Sequence, residues 1–134
     1  MKDFELSKKM LSIRGVFYPT GYAFIMFPDV AHAEQVAREL EAGNPSGEHV
    51  MLLTPTVILR DIGKMDGHSS ITLPQVGTER ATVRKYVDLA QEGHHALMVH
   101  VHSDHETERM MEAVRKVPFS YAQRYHLLAM EDLN

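Results

Sequence analysis

Residues 96–106 read Ala96-Leu97-Met98-Val99-His100-Val101-His102-Ser103-Asp104-His105-Glu106, and this stretch decides the fold. Up to His102 it predicts a strand. Successive side chains on a strand point to opposite faces, so Leu97, Val99 and Val101 share one face and Ala96, Met98, His100 and His102 the other. Ser103 and Glu106 then have the spacing of a capping box, in which a hydroxyl and a carboxylate satisfy the free N–H groups that open a helix. Met110, Met111, Val114 and Val117 continue as an apolar stripe at helical spacing, and Pro118 ends it. The remaining run, Phe119 to Met130, reads as a last strand.

Working outward toward the N-terminus, Gly93 stops a helix that Thr78 opens, with Val83, Tyr86, Val87 and Ala90 on one side. Residues 63–77 are punctuated by Gly and Pro and predict a long loop. Thr54 as cap, Pro55 at the first helical position and Gly63 beyond predict a short helix over Pro55 to Ile62, although Thr56-Val57-Ile58-Leu59 would also suit a strand. His49 to Thr54 is a strand. Gly43 stops a helix with Asp29 as N-cap and a stripe of Val30, Ala33, Val36, Ala37 and Leu40. Before it, Tyr22 to Phe27 is apolar on both faces, as a covered strand is. Ile13 to Tyr18 is a further apolar stretch, and residues 1–12 are expected to be a loosely held arm.

The order is β-α-β, an inserted helix and loop, then helix, strand, helix and strand. Without the insert and one helix it is β-α-β-β-α-β, the ferredoxin-like split βαβ pattern of the α+β class. Residues 13–134 are expected to form this single domain. The expected sheet is antiparallel in the order 4-1-3-2, with helices on one face and the other face open. An open face carrying Met98 and the apolar first strand would expose a patch that soluble monomers rarely leave bare, which predicts a homodimer.

Composition narrows the function. The 134 residues carry a net charge of −4, no Cys and no Trp. A net negative chain lacks the basic footprint of a nucleic-acid or acidic-membrane binder. Without Cys there is no disulfide scaffold, thiolate metal site or Cys nucleophile. No apolar run reaches the roughly 18 residues that span a bilayer, and the charged N-terminus lacks a signal-peptide core, so a cytoplasmic protein is expected. An RNA-recognition sheet needs stacking aromatics on its third strand, and Ala96 to His102 has none. Ser69-Ser70 has no nucleophile-elbow context, and Gly63-Lys64 lacks the glycine spacing of a phosphate loop. Asp61, Asp66 and His68 place an acid and an imidazole in the long loop, as exposed loops commonly do.

The histidines carry the sharpest signal. Five of the nine lie between residues 94 and 105. His100-Val101-His102-Ser103-Asp104-His105 resembles the metal-binding string of the metallo-β-lactamase superfamily. That family also needs a bridging Asp and further His ligands downstream, and after His105 the chain offers His126 and, in its tail, Asp132. The superfamily fold is therefore excluded. A smaller site is expected instead. Antiparallel order brings the end of the third strand beside His49 and Tyr22, with His126 at the same end of the sheet. His100, His102 and His49 are the candidate metal ligands, for a divalent ion such as Zn or Ni, and Tyr22, Met98 and His126 are candidate ligand contacts. Two plainer readings stand beside this one: surface or interface histidines, and a pH-sensitive cluster whose imidazoles repel once protonated.

Three further pieces resemble small bacterial proteins related to the heat-induced general-stress-protein domain. They are Pro19-Thr20-Gly21-Tyr22-Ala23-Phe24 entering the first strand, Tyr86, Ala90 and Gly93 before the third, and the ending Glu131-Asp132-Leu133. The resemblance covers most of residues 15–134. It implies a ferredoxin-like fold and a stress association, and assigns no catalytic residue. The leading expectation is a non-enzymatic module that binds a small ligand or metal. The alternatives are a small cofactor-free oxygenase or isomerase of the dimeric α/β-barrel type using a His as acid or base, and a purely structural protein. An enzyme needs an enclosed pocket pairing His100 or His102 with an acid, whereas a binding module keeps its histidines at a surface. The assigned faces make a sharp expectation: Val99→Asp abolishes folding and His102→Ala does not.

Overall fold

A computed structural model describes residues 1–11, 15–43, 49–63, 78–127 and 129–134. The architecture is α+β: one six-stranded mixed sheet with helices on both faces. The strands are β1 (Lys2–Asp3), β2 (Tyr22–Phe27), β3 (Val50–Leu53), β4 (His95–His100), β5 (Tyr121–Tyr125) and β6 (Met130–Asp132). The helices are α1 (Val30–Ala42), α2 (Pro55–Val57), which runs on into a π-helical turn at Ile58–Ile62, α3 (Thr78–Gln91) and α4 (Asp104–Val114). The sheet order is β1-β3-β4-β2-β5-β6. β1 lies parallel to β3, and every other pair is antiparallel. The expected four-stranded sheet is thus widened at both edges.

Local chemistry accounts for the element starts. The Asp29 carboxylate accepts from the Ala31 N–H at 2.9 Å, and the Thr54 hydroxyl accepts from the Val57 N–H at 3.2 Å. Each satisfies a donor that the first turn leaves free. Ser103 does the same for the Glu106 N–H at 3.1 Å. The Glu106 carboxylate, however, accepts from the His102 N–H rather than from that of Ser103, one residue earlier than a standard capping box.

The two sheet faces pack differently. On one, Ala23, Ile25, Phe27, Leu97 and Val99 lie against Ala33, Val36 and Ala37 of α1 and Met110, Met111 and Val114 of α4. This is the face assigned to Leu97 and Val99 from the alternation. The other face was expected to be open and is covered. Phe24, Met26, Ala96 and Met98 pack under Val83 and Tyr86 of α3, Ile58 and Ile62 of the π-helical turn, and Phe4, Met10, Val16 and Phe17 of the N-terminal segment. The physical reason is the insert itself. Its helices carry their own apolar stripes, and those must be buried somewhere. A bare apolar face was the ground for expecting a homodimer, and that ground is gone. The expected loose arm is also placed: β1 pairs with β3, and Phe4 and Met10 are buried.

Two further differences concern strand ends. The single last strand expected over Phe119 to Met130 is a hairpin, β5 turning into β6, closed by the His126 N–H donating to the Ala129 carbonyl at 2.9 Å. Neither Gly nor Pro marks that turn. β4 opens at His95, one residue before the expected strand start at Ala96, and ends at His100, two residues before His102. The expected strand start at Ile13 and the loop residues Asp66, His68, Ser69 and Ser70 lie outside the described residues. Among the described residues no helix is long and apolar enough to cross a membrane.

Candidate functional site

The antiparallel register builds the site. Val50 faces Val99 across β3 and β4, so His49 arrives beside His100, and the His100 N–H donates to the His49 carbonyl at 2.9 Å. On the other side of β4, Tyr22 is the register partner of His100. Their rings lie 4.9 Å apart between centroids. The chain then leaves β4 through Val101, whose N–H donates to the Gly21 carbonyl at 3.0 Å. Gly21 has φ +88, where a side chain is strained, and a Cβ there would lie 3.5 Å from Nε2 of His100. A glycine therefore suits both the turn and the close ring.

The three imidazoles named from the sequence do come together. The rings of His100 and His102 are 4.1 Å apart between centroids and nearly perpendicular, and those of His49 and His100 are 6.3 Å apart. His49 and His100 are half-buried and His102 is exposed. Burial lowers the His100 imidazole below its ordinary pKa, and the neighbouring His102 and His49 push it the same way, with Glu106 opposing. Proximity is not coordination: among the described residues no three His, Asp or Glu side chains are arranged to hold a metal ion.

The remaining candidates separate. Met98, expected on the ligand-facing side, is fully buried under α3, so it belongs to the core. His126 sits beyond β2, and its Nε2 lies 2.9 Å from a Glu131 carboxylate oxygen while its carbonyl accepts from the Tyr18 hydroxyl. Tyr22 stays with the cluster through His100.

Beside the imidazoles a cleft of about 480 Å³ opens between α1, α4 and the end of β4. Its apolar lining is Leu40, Val99, Val101 and Met110. Its polar lining is His49, His102, Arg109 and three carboxylates, Glu39, Glu106 and Glu112. Lys116 pairs with Glu39 at 3.0 Å. From the sequence Glu106 is legible as a helix cap, and Glu39, Arg109 and Glu112 have no assigned role. The available signal was the three-residue spacing of Glu106, Arg109 and Glu112, which aligns them along one side of α4. That Glu39 of α1 joins them depends on how two helices distant in sequence pack.

Chemically, the cleft has imidazole nitrogens, an excess of carboxylates over basic side chains in its lining and an apolar floor. Among the described residues, the Glu106 carboxylate accepts from the backbone N–H of His102 rather than from an imidazole ring. No protein-family model, curated protein or solved structure matches this chain.

Proposed function

We propose that this chain is a non-enzymatic binding module, built on a ferredoxin-like βαββαβ frame, that takes a small organic cation with an apolar body into the cleft between α1 and α4. The observation that carries this reading is the lining: Glu39, Glu106 and Glu112 face one cleft with Arg109 as the lone guanidinium, above Leu40, Val101 and Met110. Its volume lies within the range of small-molecule sites. Carboxylates at the rim select an ammonium group by charge complementarity, and the apolar floor takes the hydrocarbon. The exposure of His102 supports a binding module over the oxygenase or isomerase alternative, which needs an enclosed imidazole–acid pair. The stress association rests on the resemblance alone and adds no residue to the site.

The test is chemical-shift mapping of the untagged, chelator-treated protein with three probes: benzylammonium, benzoate and zinc chloride. Benzylammonium should give saturable shifts at Leu40, His49, Val101, His102 and Met110, and benzoate should give none there. Saturable binding of benzoate in its place would overturn the reading. So would zinc bound near one equivalent and lost in a His100→Ala/His102→Ala double variant, since the cluster would then be a metal site after all.

A further inference from the structure

The cleft wall and the strand end share their histidines. His49 and His102 line the cleft, whereas His100 does not, yet its ring lies against both of theirs. His100 also holds the backbone. Its N–H donates to the His49 carbonyl in the last β3–β4 rung, and the next residue, Val101, ties β4 to Gly21 ahead of β2. Any force between the three rings therefore acts on the rung that positions His49.

We infer that His49, His100 and His102 form a proton-responsive latch: adding protons to the cluster sets like charges against one another, opens the His49–His100 rung and weakens the hold of the cleft on a cation. The last clause rests on the proposed cleft ligand, and the rest does not.

Charged and titratable groups face the cluster from several elements, and Lys116 is paired with Glu39 beside the cleft. From β2 comes Tyr22, whose ring is tilted against His100. From the start of β3 comes His49, and from the end of β4 His102. From α4 comes Glu106, whose carboxylate holds the His102 N–H at 3.2 Å and attracts a protonated ring. Across the cleft stand Glu39, Glu112 and Arg109. Among the described residues Glu106 is the carboxylate that acts on His100, against the two neighbouring imidazoles that oppose its charging. The rings nearest each other are 4.1 Å apart, well inside the Debye length, so salt screens them little. Burial and the two neighbouring rings lower the His100 pKa, in the sense expected if charging this ring is the unfavourable step.

The experiment uses the ligand-free protein. Imidazole resonances and the exchange of the His100 amide are followed between about pH 5 and 8, the range in which histidine titrates, for the wild type and for His102→Gln. His102 is exposed, so this variant should fold. His100 is expected to titrate below the ordinary imidazole value and to move up in His102→Gln. Its amide should lose protection in acid, beyond the intrinsic change in exchange rate, and lose less in the variant. A His100 that titrates as an ordinary imidazole, or ignores the loss of His102, overturns the latch. So does an amide whose protection is constant across the range. Benzylammonium, which stays charged over this range, supplies a second reading. If it binds, its affinity should fall several-fold toward the acid end in the wild type and fall less in His102→Gln, and an affinity independent of pH contradicts the gate. If it never binds while the imidazoles and the amide behave as stated, the cleft reading fails and the latch stands.

Discussion

The two faces of the sheet are closed by different chemistry. Under α1 and α4 the core is mostly aliphatic, built from Ile25, Val36, Leu97, Val99, Met111 and Val114. Under α3 and the N-terminal segment it is aromatic. Phe17 meets Phe4, Phe24, Tyr86 and Tyr125 edge-on, with ring centroids 5.7–6.5 Å apart. Tyr86 stacks on Phe24 at 4.0 Å, and its hydroxyl lies 2.7 Å from that of Tyr125. A helix stripe laid on a pleated strand needs only bulk and branching. The second face is roofed by pieces from three separate parts of the chain, and large rings with defined edge-to-face geometry bridge such irregular gaps. The two buried hydroxyls lie within hydrogen-bond distance of each other, as buried polar groups generally find partners.

The largest expected effects test whether both faces are closed. Val99→Asp and Met98→Asp should each cost roughly 4 kcal/mol or more, by burying an unpaired carboxylate, and leave no cooperative unfolding transition. An open second face would spare Met98→Asp, so a folded, soluble Met98→Asp protein would refute the covered face.

A smaller effect separates the aromatic face from the aliphatic one. Tyr86→Phe removes one member of the buried hydroxyl pair, at about 1 kcal/mol in denaturant unfolding. Alkali probes the same pair. Burial raises the Tyr86 pKa well above the ordinary tyrosine value, and the adjoining Tyr125 adds to it. The unfolded chain thus loses this proton first, and stability should fall as pH rises past about 10. Tyr86→Phe should reduce that fall, and an unchanged alkaline limb would count against the pair.

The smallest effects belong to the imidazole cluster. The His100 pKa is lowered in the folded state, so the unfolded chain takes up that proton more readily. Above the ordinary imidazole value the group is neutral in both states and costs nothing. As pH falls through about 6.5, folding should lose stability, until His100 protonates in the folded state as well. His102→Ala should leave neutral-pH stability nearly unchanged and lessen the acid loss, as equilibrium unfolding at two pH values would show. A large loss at neutral pH would mean that His102 is packed rather than exposed.

Much of the frame was legible because its signals are local. Asp29, Thr54-Pro55 and Ser103 mark helix starts by side-chain chemistry that acts within three residues. Alternation along Ala96 to His102 assigned Val99 to its face. What escaped depends on distant partners. Phe4, Met10 and Phe17 have no periodicity that announces a roof over β2 and β4. The β5–β6 turn lacks Gly and Pro, so one strand was read where two lie side by side. The site divides the same way. His49 beside His100 follows from antiparallel order. Met98 was misplaced with the open face. Glu39, Arg109 and Glu112 could not be assigned to one cleft before α1 and α4 were packed.

The central claim is that the carboxylates of this cleft hold an organic cation. The direct measurement is the affinity of benzylammonium for the wild type and for a Glu106→Gln/Glu112→Gln double variant at neutral pH, by titration of backbone amide shifts. Glu112 is exposed and Glu106 half-buried, and a Gln at 106 keeps an oxygen that can accept from the His102 N–H, so the shape of the cleft is kept while its charge is removed. The account predicts saturable binding in the wild type and a loss of about tenfold or more in the double variant, the equivalent of about 1.4 kcal/mol. Equal affinity in the two proteins, or no saturable binding in either, would contradict it.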